Sequence, residues 1–333
     1  MRINISVKEH ADDKWNDRLL NNEFGTIHQT KEYGEFRRNI WGQDVNYVTF
    51  FDNQKVIGQM TLFKFSRVDR KINQKLGKNI SKRLEKFTKK FKPMYSWYFG
   101  PVIFDHGFSD EIYSEIANFP SKFNAPFVGS LHPLENARSE FPNSGWNTTK
   151  KGTFLIDLTL SEKELWENIE NRSGRKAVNR ALKKNIEIKP ITSLDEVKIH
   201  HKLLNEGREI ANLQPISLDR ITSHWKMLSG VGEKGFIAWL EDLPLASTFV
   251  TTFNGYVNEQ GFSRSKYDKE NLMNATDLIK WHIIKWAKES GYRIFDLSGV
   301  ELDPNDQKLR GIFKFKEKWG GEFQDWYHYR FNP

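Results

Sequence analysis

The stretch that decides the reading runs Gly291-Tyr-Arg-Ile-Phe-Asp-Leu-Ser-Gly-Val300. After a short acidic loop it continues Gly311-Ile-Phe-Lys-Phe-Lys-Glu-Lys-Trp-Gly-Gly-Glu322. Gly291 closes a long apolar-periodic segment, Leu272 to Ser290, which predicts a helix, because glycine takes the left-handed conformation that ends one. Ile294 to Leu297 reads as a strand. Asn305 to Trp319 has helical spacing, Gly320-Gly321 is a turn, and Phe323 to Phe331 alternates as a final strand.

Working back, Phe236–Leu240, Leu245–Phe253 and Val257–Ser263 read as three consecutive strands. Ser193 with Glu196, and Ser161 with Glu164, are capping boxes that open helices, the first of these running through Leu213. Gly174 to Lys184 predicts a further helix, and Phe154 to Leu158 a strand. The first half has the same grammar. Arg2–Val7 is a strand and Thr30–Trp41 a helix. Val45–Phe51 and Val56–Phe65 form a hairpin about Asp52-Asn53, and Tyr95–Phe104 is one strand. The helix Asp110–Phe119 and the strand Pro126–Leu131 complete it. The boundary falls near Lys150. Domain 1 spans 1–150 and is completed by the C-terminal strand 322–333, and domain 2 spans 151–321. Antiparallel hairpins inside α/β units argue against a doubly wound sheet.

The chain has 333 residues, enough for two cores, and aromatics at 14% exclude wholesale disorder. It has no cysteine, which removes disulfides, zinc ribbons, iron–sulfur clusters and thiol nucleophiles. There is no Walker loop, no G-x-G-x-x-G after a strand, no G-x-S-x-G elbow and no H-E-x-x-H. Neighbouring His200-His201 point about 100° apart on a helix and make a poor chelate, so no metal is expected. With no apolar run at the N-terminus and none long enough to span a bilayer, the expected location is the cytoplasm.

The net charge is +8, and it is concentrated. Twelve Lys/Arg and only Asp69 and Glu85 lie between Lys64 and Lys92. Ile72, Leu76, Ile80, Leu84, Phe87 and Phe91 recur every three or four residues there, which predicts a basic amphipathic helix over 71–92 stopped by Pro93. Three readings follow: a stripe packed on domain 1 (the ordinary one), a contact with tRNA, or docking on the inner face of an anionic membrane.

The closing stretch resembles the corresponding segment of the Fem-type (FemABX) peptidyltransferases. Their pattern there is a helix, Gly-aromatic, a strand ending Asp-x-x-Gly, then Gly and F-K-x-x-[FW]-G-G. Gly291, Tyr292, Asp296, Gly299, Gly311, Phe315, Lys316, Trp319, Gly320 and Gly321 carry the match. Gln29-Thr30, Tyr33 and Arg37 resemble the family's entry motif. Trp166, Arg175 and Ala181 resemble a helix motif, and Tyr98-Phe99-Gly100-Pro101 its aromatic-x-Gly-Pro strand. The resemblance implies an α/β fold of two GNAT-like domains with mixed, largely antiparallel sheets flanked by helices. It also implies transfer of an amino acid from aminoacyl-tRNA to an amine of a peptidoglycan or other cell-envelope precursor.

The resemblance further implies that Lys316 is catalytic, an ammonium facing the oxyanion that develops during aminolysis. Phe315 would pack beside the acyl group, and Asp296 is a candidate general base. Gln29, Tyr33, Arg37 and Arg175 would meet the anionic precursor, since guanidinium grips phosphate or carboxylate with two bonds. Ser263 and Arg264, at a strand tip, are further substrate-binding candidates. Taken outside this motif, Lys316 is one more lysine on a wet helix, Asp296 a helix cap and Gly320-Gly321 a plain turn. Charged tRNA is the expected co-substrate, with no separate cofactor and no DNA partner. Two alternatives stand beside this: an N-acyltransferase using acyl-CoA or a carrier thioester, and a non-catalytic RNA-binding protein. The acyl-CoA alternative lacks the usual Q/R-x-x-G-x-G/A loop, because the helix near Leu272 opens on Lys269 to Ala275.

Overall fold

The computed structural model describes residues 3–66, 87–135, 145–302 and 306–332. The chain divides into two units, Met1–Lys151 with Asp325–Pro333, and Gly152–Gln324.

Unit 1 holds β1 (Asn4–Lys8), β2 (Asp44–Asp52), β3 (Lys55–Ser66), β4 (Pro93–Ser96), β5 (Val102–Ile103), β6 (Phe127–Ser130) and the residues of β13 (Glu322–Phe331) from Asp325 onward. The strands pair in the order β1-β2-β3-β4-β6-β13. The first three pairings are antiparallel, β4 with β6 is parallel, and β6 with β13 is antiparallel. Alternate residues of β2 and β3 face a core with Trp97, Ile112, Phe127 and Tyr329. The helix Lys31–Trp41 starts at Thr30, whose hydroxyl accepts the Tyr33 N–H, and ends at the left-handed Gly42.

The expected strand Tyr95–Phe104 is broken into β4 and β5. Phe99 takes φ 48°, a left-handed conformation that cannot continue a strand, and Pro101 offers no N–H to a ladder. Of the basic segment, residues 67–86 lie outside the described residues. Only its last turn, 87–91, is described, and it is helical.

Unit 2 holds the residues of β7 (Trp146–Asp157) from Gly152 onward, together with β8 (Ile186–Pro190), β9 (Glu233–Leu240), β10 (Leu243–Phe253), β11 (Tyr256–Arg264) and β12 (Ile294–Asp296). Their order is β8-β9-β10-β11-β12-β7. Again there are three antiparallel pairings, one parallel pairing (β11 with β12) and a last antiparallel one. Helix Ala275–Glu289 crosses over between the parallel strands and buries Ile279, Ile283, Ile284 and Ala287 against the sheet.

Both capping boxes form, on the helices Glu162–Asn168 and Leu194–Ile210. Helix Leu218–Leu228 and strand β8 are two elements that the sequence reading passed over. The helix expected from Leu272 begins only at Ala275, because Leu272 (φ 48°) and Asn274 (φ 60°) are left-handed. Among the described residues, no helix is long and apolar enough to cross a membrane.

Candidate active site

The parallel contact between β11 and β12 lasts only from Tyr256 to Asn258 on one strand and from Ile294 to Asp296 on the other, while β11 runs on to Arg264. Past Asn258 the two strands have no ladder between them. The polar groups of unit 2 collect there.

Asp296, 1% exposed, ends β12. Its Oδ1 accepts from Thr153 Oγ1 (2.5 Å) and the Ser298 N–H (2.7 Å), and its Oδ2 from the Tyr256 hydroxyl (2.5 Å) and Asn258 Nδ2 (2.9 Å). A carboxylate has about four acceptor sites, and the protein fills four. That corrects the general-base expectation: with its lone pairs engaged, Asp296 organises the loop after it. Burial and the neighbouring Asp296 together hold the Tyr256 phenol far above its ordinary value. Ser298 sits at φ 65°, unusual for serine, and is held there because its N–H bonds Asp296 and its hydroxyl bonds the Glu259 carbonyl.

That turn receives Lys316. The lysine lies on helix Gln307–Glu317, half-buried, and its Nζ donates to the carbonyls of Ser298 (3.1 Å) and Gly299 (3.2 Å). Burial lowers its pKa to about 8, opposed by the attraction of Asp296. No carboxylate hydrogen-bonds it among the described residues. The other two lysines nearby do have acid partners: Lys280 pairs with Glu259, and Lys318 with Asp277. Lys280 is 0% exposed. Burial, then the charges of Lys316 and Lys318, push its pKa well below the ordinary lysine value. Burial raises Asp277, with Lys318 pulling the other way. The Phe315 ring stands between two ammonium groups, 4.4 Å from Lys318 Nζ and 5.8 Å from Lys280 Nζ, and 6.3 Å from Phe262. Gly320 follows at φ 74°, and a Cβ there would meet the Asn168 carbonyl oxygen at 2.4 Å, so only glycine fits.

Lys280, Glu259, Lys318 and Asp277 escaped the sequence reading. One signal was available: Lys280 interrupts the apolar face of its helix beside Ile279, Ile283 and Ile284.

The other candidates in unit 2 separate. Arg264 gives its Nε to the fully buried Asp268 (2.7 Å), and Ser263 is buried within β11. Ser263, 4% exposed, is enclosed in the sheet, which corrects its assignment to substrate, whereas Arg264 is tied to Asp268 through Nε alone and its side chain stays 42% exposed. Asp268 Oδ1 also accepts the Ala275 N–H (2.9 Å), so the first turn of helix Ala275–Glu289 already holds an anion. Arg175 closes the wide turn Asn171–Arg175, half-buried, and its Nε has no hydrogen-bond partner among the described residues.

Unit 1 gathers Arg37 and Tyr33. Arg37 is 4% exposed, with its guanidinium 4.6 Å from Phe63, 4.7 Å from Trp41, 5.1 Å from Tyr98 and 5.7 Å from Tyr33. It donates to Gln43 Oε1 (2.7 Å) and the Tyr33 hydroxyl (3.2 Å) and has no carboxylate partner among the described residues. Gln29 is a correction. It is 0% exposed, its Oε1 accepts the Thr61 N–H (2.7 Å) and its Nε2 donates to the Tyr98 carbonyl. It staples β3 to the 98–101 turn and faces no ligand.

Among the described residues, no group of three or more His, Asp or Glu is arranged to hold a metal ion.

No protein-family model matches the chain, and no curated protein sequence matches it. Solved structures do. A structure of FemX matches with a TM-score of 0.73 over 97% of this chain and 96% of that one, at 12% identity. L-PGS from Bacillus licheniformis matches at 0.57 over 97% and 93%, also at 12% identity. A tandem GNAT protein from the clavulanic acid biosynthesis pathway matches at 0.54 over 99% and 98%, at 12% identity. The fold is the Fem-type tandem GNAT-like one.

Proposed function

We propose that this chain, built on the Fem-type tandem GNAT-like fold, is an aminoacyltransferase. It moves an amino acid from aminoacyl-tRNA to an amine of an anionic cell-envelope precursor. The observation that carries the reading is Lys316, a half-buried ammonium pinned by two carbonyls at the open end of the β11–β12 pair, with no carboxylate bonded to it.

The amine nitrogen attacks the ester carbonyl, forming the C–N bond and a tetrahedral oxyanion. The oxyanion collapses, the ester C–O bond breaks, and the amine's proton leaves with the tRNA 3′ oxygen. Lys316 stabilises the oxyanion, a charge that exists only near the transition state, so its effect falls on the rate rather than on binding. Asp296 fixes the Ser298–Gly299 carbonyls that aim Lys316, which makes it a positioning residue. Phe315 flanks the acyl group. In unit 1, Arg37 and Tyr33 hold an anionic part of the precursor. A guanidinium buried among rings without an acid keeps most of its charge for a ligand. Arg175 has the same character in unit 2.

The acyl-CoA alternative is weakened by Asp268. A coenzyme A pyrophosphate would need the N–H groups at the start of helix Ala275–Glu289, and a buried carboxylate already occupies the first of them. The test is transfer of a radiolabelled amino acid from a charged tRNA pool to envelope precursors, run beside labelled acetyl-CoA. Precursor pools with and without the protein are compared by mass spectrometry. Label arriving from tRNA supports the reading. Label arriving only from acetyl-CoA, or no change in the pools, removes it.

A further inference from the structure

In the usual amphipathic helix the apolar stripe packs on the body and the cations face water. The described turn 87–91 does the reverse. Phe87 and Phe91, four residues apart and hence on one face, are 61% and 60% exposed and touch each other with ring centroids 4.6 Å apart and planes tilted by 42°. Lys89, on the opposite face, turns inward. Its Nζ bonds Asp44 Oδ1 (2.6 Å) and the Gly42 carbonyl (3.0 Å), and its side chain is 18% exposed. Thr88 bonds the Ser66 hydroxyl at the end of β3. The turn is therefore clamped to unit 1 by its polar side, and its aromatic side stands exposed beside the described residues. Lys90 and Lys92 stand exposed beside the rings, with Lys90 Nζ 5.5 Å from the Phe91 centroid.

We infer that Phe87 and Phe91, with Lys90 and Lys92 around them, form a docking surface for an anionic lipid bilayer. Two exposed rings on a turn fixed from behind suit the boundary between headgroups and acyl chains. The flanking charge has the matching sign, since the segment from Lys64 to Lys92 carries twelve Lys/Arg against two acidic residues. Each such cation near an anionic surface raises partitioning roughly fivefold. A duplex backbone would be met by the lysines alone and gives the paired phenylalanines nothing to insert into, and unstacked bases of a single strand, which could stack on them, are separated by the tRNA arm of the test. This inference does not depend on the transfer chemistry.

The experiment is sedimentation of the full chain with phosphatidylcholine vesicles, with and without phosphatidylglycerol, at low and high salt. The wild type should pellet with the anionic vesicles at low salt and be released at high salt. The Phe87→Ser/Phe91→Ser variant should bind those vesicles at least about tenfold more weakly. Both side chains are exposed, and unchanged circular dichroism checks that the fold is kept. Lys90→Glu/Lys92→Glu should weaken binding by a similar factor and reduce its salt dependence. Unaltered vesicle binding by the phenylalanine variant overturns the inference. So does failure of the wild type to bind anionic vesicles, or a phenylalanine variant that loses affinity for tRNA while its vesicle binding stays the same.

Discussion

Unit 1 and unit 2 run through the same series of strand pairings: three antiparallel, one parallel, one antiparallel. They bury different polar chemistry on it. Unit 1 encloses a guanidinium in four rings with no acid beside it among the described residues. Unit 2 encloses two lysine–carboxylate pairs and a third lysine that has only carbonyls. Under the proposed function, the caged cation is the group that holds an external anion. A set of internally balanced charges fixes one remaining ammonium in place. If the proposed function holds, one scaffold carries a holding site and a reacting site, and the two differ in where carboxylates were placed.

That division can be broken by experiment. The largest expected effect is on the stability of unit 2. Lys280→Met leaves Glu259 buried and unpaired and should destabilise the protein by about 3–5 kcal/mol in chemical denaturation. Lys280→Met/Glu259→Leu should recover most of that loss, because an apolar pair of similar volume replaces the ions. A double variant no better than the single one would mean that the pair does more than balance charge.

Next, Lys316→Met should lower kcat by about 10²–10³-fold with little change in KM, as for removal of one oxyanion-stabilising group. Arg37→Met should instead raise KM for the precursor by about tenfold or more, at roughly 1.5–3 kcal/mol for a hydrogen bond to charge, and spare kcat. If the two variants exchange these signatures, the assignment of holding and reacting sites is reversed.

The pH profile sharpens the same point. With Lys316 needed as an ammonium and its pKa lowered to about 8, kcat should fall as pH rises through about 8. A fall that persists unchanged in Lys316→Met would take that titration away from Lys316. The smallest effects come from caps. Ser161→Ala should cost about 1 kcal/mol in unit 2, and Thr30→Ala up to about 2 kcal/mol in unit 1, where the hydroxyl is buried and also bonds the Ile27 carbonyl. Denaturation followed by probes in each unit should place each loss in its own half.

Local signals were legible and long-range partners were not. The Asp52-Asn53 hairpin, both capping boxes, Gly291 as a stop and the turn at Gly320-Gly321 are written in neighbouring residues, and the structure has each of them. The F-K-x-x-W-G-G segment also pointed to Lys316. What failed depended on residues far away in the chain. Gln29 read as a ligand group because nothing nearby reveals that Thr61 and Tyr98 consume its amide. Asp296 read as a base because Thr153, Tyr256 and Asn258 come from other strands. The tie from Arg264 Nε to Asp268 also went unread. Helix Leu218–Leu228 was legible: Leu218, Ile221, Trp225 and Leu228 recur at helical spacing, and Ile221 and Trp225 pack on Ile237 and Phe249, so this signal was present and passed over.

The pairing of β13 with β6, Arg330 opposite Val128, sets an order on biosynthesis. The strand that finishes the N-terminal sheet leaves the ribosome after the whole of unit 2. Until then β6 keeps an open edge, and the place filled by the fully enclosed Tyr329 stays vacant. The half translated first is therefore the half completed last. A nascent chain stalled before Tyr329 should expose that edge to proteases and chaperones.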